Sequence, residues 1–97
     1  ISVVKQKVKE GMTEEYVALM KIFNIADIKG LRRREGIEVD EHNFIWIFEY
    51  DDIASLVDAQ ETLVSNLDKV RPLLVEFDDE GNVTDPASGT LIYRELK

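Results

Sequence analysis

Apolar positions in this chain change period several times, and each change marks an element. Residues 1–9, ISVVKQKVK, alternate. Val4, Gln6 and Val8 share one face and Lys5, Lys7 and Lys9 the other, as in a strand with one side in water. Gly11 ends that pattern. Thr13 is placed to cap a helix, with Glu14 and Glu15 in the first turn, where negative charge suits the helix dipole. Tyr16, Leu19, Met20, Phe23 and Ala26 then recur every three or four residues, and Gly30 suits the C-terminal cap. LRRREGIEV, 31–39, is a charged strand interrupted by Gly36, a composition typical of a sheet edge. The polar turn DEHN joins it to FIWIFEY, which makes the two a hairpin.

FIWIFEY is apolar on both faces. Phe44, Trp46, Phe48 and Tyr50 point one way, Ile45 and Ile47 the other. Asp51 or Asp52 can cap the next helix. Its stripe is Ile53, Leu56, Val57, Leu63, Val64, Leu67 and Val70, with the polar Gln60 in register. Pro72 ends or kinks it. LLVEF, 73–77, reads equally as a short strand or a last helical turn. DDEGNVTDPASG, 78–89, has loop composition, and TLIYREL, 90–96, alternates as a final strand.

This order predicts an α+β, ferredoxin-like βαββαβ domain spanning residues 1–97. Right-handed crossovers give an antiparallel four-stranded sheet of order 4-1-3-2, with two helices on one face. FIWIFEY is then a central strand. Helices cover one of its faces, and the other would meet water in a monomer, a poor place for large apolar side chains. A homodimer with sheets packed face to face is the expected remedy.

Composition narrows the function. The chain has 97 residues, 44% of them hydrophobic, enough for the core of one domain. No apolar run approaches the ~20 residues that span a bilayer. No secretory signal is visible, although the chain starts at Ile1 without a methionine. There is no cysteine, hence no disulfide and no thiolate ligand or nucleophile. These features suggest a cytoplasmic protein. The net charge of −8 is uneven: +3 over residues 1–36 and −11 over 37–97. Such a chain repels phosphate backbones, so nucleic acid is not an expected partner. The run Arg32–Arg34 reads as a solvated edge, with contact to an anionic ligand as the other reading.

The predicted fold and loop pattern resemble the dimeric α+β barrel superfamily, and most of all its antibiotic-biosynthesis-monooxygenase-like proteins. The similarity lies in a strand ending in Glu49, the acidic cap Asp51–Asp52, the helix starting IASLVDAQETL, and the segment GMTEEY ahead of the first helix. It covers roughly residues 1–72 and returns at the final strand. The family often has Trp two residues after the Glu, where this chain has Asp51. Its helical His would fall near Gln60, which cannot shuttle protons near neutrality. The resemblance implies a cofactor-independent oxygenase-like enzyme acting on a small aromatic or lipophilic metabolite. It does not favour the haem-degrading branch, which needs that His as an iron ligand. A non-catalytic ligand-binding or regulatory homodimer is the alternative.

Candidate residues are few. His42 is the sole imidazole and sits in the hairpin turn, so neither a multi-His metal site nor a Ser-His-Asp triad has support. With no glycine-rich phosphate loop either, no haem, flavin, zinc or iron is expected. A calcium loop beginning at Glu76 would put Ala87 where the bidentate Glu belongs. Trp46 reads as core, dimer interface or the wall of a cleft. Gln6, Tyr16, Trp46 and Gln60 together form the one polar-aromatic set at pocket positions and are the candidate ligand contacts; the other reading of Gln60 is a side chain pointing to solvent at the edge of the stripe.

Overall fold

A computed structural model describes residues 1–97. Its elements are β1 (Ser2–Lys7), α1 (Thr13–Ile22), β2 (Leu31–Glu38), β3 (Asn43–Tyr50), α2 (Ile53–Val70) with a 3-10 turn at Arg71–Leu73, and β4 (Thr84–Ser88). The sheet runs β2-β3-β1-β4, and every pairing is antiparallel. This is the predicted order 4-1-3-2 read from the other edge. The α+β, ferredoxin-like architecture is therefore as the hydropathy pattern indicated, with β3 central and β2 at an edge.

Register decides which side chains meet. Ser2 lies opposite Phe48, Val4 opposite Trp46 and Gln6 opposite Phe44. On the other flank of β3, Arg34, Gly36 and Glu38 lie opposite Phe48, Trp46 and Phe44. Because alternate residues share a face, these positions are on the helical side of the sheet. Phe44, Phe48 and Tyr50 are buried there with Tyr16, Met20, Phe23, Ala59 and Val70. The other side carries Val3, Ile37, Ile45, Ile47 and Ala87, flanked by the cross-strand pairs Lys5–Asp85 and Arg33–Glu49.

Several local expectations are corrected. α1 stops at Ile22, and Phe23 turns into extended backbone. Ala26 is exposed, and Gly30 is not that helix's cap. Gly30 instead takes φ +82° in the turn before β2, where a Cβ would lie 2.1 Å from Ser55 Oγ. Thr13 makes no cap bond, and its hydroxyl donates to the Glu41 carbonyl at 2.5 Å. Asp52 does cap α2, accepting from the Ser55 N–H at 2.8 Å. The stripe of α2 is rotated from the one predicted: Leu56, Leu63, Leu67 and Val70 turn inward, while Ile53, Val57 and Val64 are more than half exposed. After the 3-10 turn, Leu74 bridges to Val8.

The last strand is the largest difference. β4 is Thr84–Ser88, inside the segment read as loop, and residues 89–97 form neither helix nor strand. Pro86 is tolerated because β4 is an edge strand, where an amide can be missing on the solvent side. The segment before it closes on itself. Asp78 accepts from the Glu80 and Asn82 N–H groups and the Asn82 side-chain amide, which is an Asx-type acidic turn. No helix is long and apolar enough to cross a membrane.

Candidate ligand pocket

The helical face of the sheet does not close completely on α2. Between them lies a cavity of about 340 Å³, within the range of roughly 300–1,000 Å³ usual for small-molecule sites. Three rows of the sheet make its floor: Arg34–Phe48–Ser2–Ser88, then Trp46–Val4–Pro86, then Gln6–Thr84. Leu63, Leu67 and Val70 of α2, with Met20 and Phe23, form the opposite wall.

Trp46 owes its pose to Gly36. A Cβ on Gly36 would sit 2.6 Å from the indole Cζ3, so only glycine lets the ring lie across β2. From there the indole N–H donates to the Tyr16 hydroxyl at 2.7 Å, and that hydroxyl donates to Gln6 Oε1. The direction of this relay is forced, since an indole nitrogen can only donate. The Gln6 carbonyl oxygen is thereby engaged, and its NH₂ makes no protein hydrogen bond where Gln6 lines the cavity. Burial pushes the Tyr16 pKa up to about 12, against a smaller opposing effect of the Trp46 hydrogen bond. Tyr16 thus stays protonated at neutral pH and acts as a fixed donor.

Of the four residues expected to form the site, the structure joins three. Gln6 and Trp46 line the cavity, and Tyr16 stands fully buried behind them, tying the pair together without lining it. Gln60 is at the cavity rim but exposed, and its side-chain amide donates to the Leu56 carbonyl of its own helix at 3.0 Å. It does not meet the other three. His42 remains in the hairpin turn and takes no part.

Arg34 is the residue that sequence reasoning left unresolved inside a basic run. Arg32 pairs with Asp51 at 3.1 Å, and Arg33 pairs with Glu35 and, at 3.5 Å, Glu49. Arg34 has no carboxylate partner and lies with its guanidinium 5.5 Å from the Trp46 ring centroid, in cation–π range. Burial lowers its pKa from the ordinary arginine value, yet a guanidinium keeps its charge in proteins. Counting register across the DEHN hairpin would have separated it from its neighbours, because Gly36 opposite Trp46 sends Arg34 to the aromatic side. No cluster of three or more His, Cys, Asp or Glu side chains is arranged to hold a metal ion.

No family model matches the sequence, and no curated protein sequence matches it. Solved structures do share the fold. A candidate antibiotic biosynthesis monooxygenase from Nitrosomonas europaea superposes with a TM-score of 0.75 at 17% identity, over 94% of this chain and 97% of that one. SnoaB, a cofactor-independent oxygenase from Streptomyces nogalater, in a single-substitution variant, gives 0.68 at 14% identity over 98% and 93%. A candidate antibiotic biosynthesis monooxygenase from Chloroflexus aurantiacus gives 0.63 at 11% identity over 96% and 95%. The chain therefore has the ferredoxin-like fold of antibiotic-biosynthesis-monooxygenase-type proteins along nearly its whole length.

Proposed function

We propose that this protein is a monooxygenase-like enzyme that encloses a small aromatic or lipophilic molecule between sheet and α2, with no need of a bound cofactor. The observation that carries this reading is the apolar cavity edged by the Trp46–Tyr16–Gln6 relay. The similarity in fold to a cofactor-independent oxygenase supports it. Chemistry of that kind asks the protein mainly to hold an electron-rich substrate and keep water away. The substrate supplies the electrons: a reactive methylene takes one atom of O₂ and becomes a carbonyl, and the other atom leaves as water.

A second reading, a ligand-binding homodimer without catalysis, draws on a specific feature. None of the residues lining the cavity can accept a proton near pH 7. Tyr16 behind them is held protonated by burial. Only a substrate that ionises readily by itself could react there. We further propose that two copies associate through the open sheet face, where Val3, Ile37, Ile45 and Ile47 gather.

An oxygen electrode separates the two readings. Purified protein is mixed with phenolic or 1,3-dicarbonyl aromatics that lose a proton easily, without added cofactor. Uptake of one O₂ per ketone formed, above the rate without protein and reduced in Trp46→Phe, is the expected result. Saturable binding with the compound recovered unchanged would remove the enzymatic reading and leave the binding one.

A further inference from the structure

The chain carries 20 Asp and Glu residues, yet none of them lines the cavity. Arg34 is the one ionisable side chain there. It has no protein counter-ion, unlike Arg32 and Arg33 beside it. We propose, resting on the pocket reading above, that this site takes an aromatic molecule bearing a permanent anion such as a carboxylate, with Arg34 as its counter-ion.

Four features of the geometry favour this ligand class. Arg34 begins the floor row that continues through the Phe48 ring to the hydroxyls of Ser2 and Ser88. Ser88 Oγ donates to Ser2 Oγ at 3.0 Å, so polar groups persist along that row beyond an aromatic surface. The guanidinium lies over the Trp46 indole, which limits its rotamers without neutralising it. A preorganised, partly desolvated guanidinium loses less on binding a carboxylate than a free surface arginine does. The Gln6 NH₂ offers a second uncommitted donor on the same floor, and donors, not basic groups, suit an anion. The protein's overall charge repels anions at long range, so recognition has to come from a local cation of this kind.

Arg34 also faces away from the proposed dimer surface. It is on the helical side of β2, whereas Arg33, Glu35 and Ile37 alternate to the open side. A second copy stacked on the open face would not supply its missing counter-ion.

The test uses two probes of nearly equal shape and different charge, 2-naphthoate and 2-naphthamide, titrated by calorimetry into the full chain. The wild type should bind the acid at least roughly tenfold more tightly than the amide, the worth of about one charge-assisted hydrogen bond. In Arg34→Gln the preference should vanish while the amide's affinity holds. Arg34→Lys should keep part of it, because the charge remains and the forked geometry does not. Equal affinity for both probes in the wild type would overturn the proposal and leave the pocket standing. A preference that survives in Arg34→Gln would overturn it too. Failure of both probes to bind would sink the pocket reading along with it. If Arg34→Gln does not fold, the wild-type comparison and Arg34→Lys still decide.

Discussion

Two buried tyrosine hydroxyls make opposite use of the same chemistry. Tyr16 receives a hydrogen bond from Trp46 and gives one to Gln6. Tyr50, buried on the same face, has a hydroxyl with no hydrogen-bond partner, and burial raises its pKa. An unmade buried bond costs free energy, while deleting an orphan hydroxyl costs little. Tyr16→Phe should therefore lower stability by about 1–3 kcal/mol, since it strands the Trp46 N–H and the Gln6 carbonyl. Tyr50→Phe should be neutral or stabilising. Denaturant titration of both variants checks the pair, and equal losses would refute the distinction. Gln6, Tyr16 and Trp46 were legible in the sequence because strand and helix periods place them inward. Gln60, at the edge of the α2 stripe, reaches the cavity only at its rim, with its amide bonded to the Leu56 carbonyl. Arg34 needed the hairpin register, which composition hides within three consecutive arginines.

Elements followed the same logic, with one instructive exception. The hairpin, both helices and the sheet order came from periodicity and turn residues. The final strand did not. TLIYREL has the alternation of a strand, but in the monomer it pairs with nothing, and Leu91, Ile92, Tyr93 and Leu96 are exposed. TDPAS has poor strand chemistry, yet it lies along the free edge of β1 from Gln6 to Ser2. The backbone's need for partners outweighs side-chain propensity there, and no local pattern reports it. What ties the tail down is Arg94, whose guanidinium donates to Glu49 beside Arg33. Turn geometry is the sharper constraint at the start of β2. Gly30 has φ +82°, and a side chain would also meet Ser55 on the first turn of α2. Gly30→Ala should therefore lose roughly 1–3 kcal/mol through backbone strain and crowding. A thermal melt that matches the wild type would show that Ser55 and the turn adjust freely.

At the scale of the whole molecule, charge and the open sheet face set the behaviour. Tyr16 titrates near its ordinary value of 10.0 when unfolded and at about 12 when folded. The folded state holds that proton more tightly. The stabilisation is complete below pH 10 and is lost as pH rises towards 12. Urea midpoints should fall across that alkaline window in the wild type and change less in Tyr16→Phe; parallel profiles would refute the assignment. Glu49 acts at the other end of the scale. The Arg94 guanidinium hydrogen-bonded to it holds its carboxyl below the usual glutamate range, with Arg33 and Arg32 adding to the effect. That stabilisation exists above the unfolded glutamate value and is lost as pH falls through the folded one. The same carboxylate borders the apolar patch of Val3, Ile37, Ile45 and Ile47, where association is proposed. Ile47 is the decisive position. It is half-buried at the centre of the open face, between Val3 of β1 and Glu35 of β2. In a monomer an aspartate there stays in contact with water and costs little. In a dimer it becomes a buried, unpaired charge costing several kcal/mol, a large part of the ~8 kcal/mol that a micromolar complex provides. Sedimentation at micromolar concentration should give about twice 11.1 kDa for the wild type and close to 11.1 kDa for Ile47→Asp, with matching far-ultraviolet circular dichroism. Trp46→Asp would not serve, because Trp46 faces the helices and its loss damages the pocket and core. A wild type that sediments as a monomer, or an Ile47→Asp variant that still dimerises, would place the partner surface elsewhere.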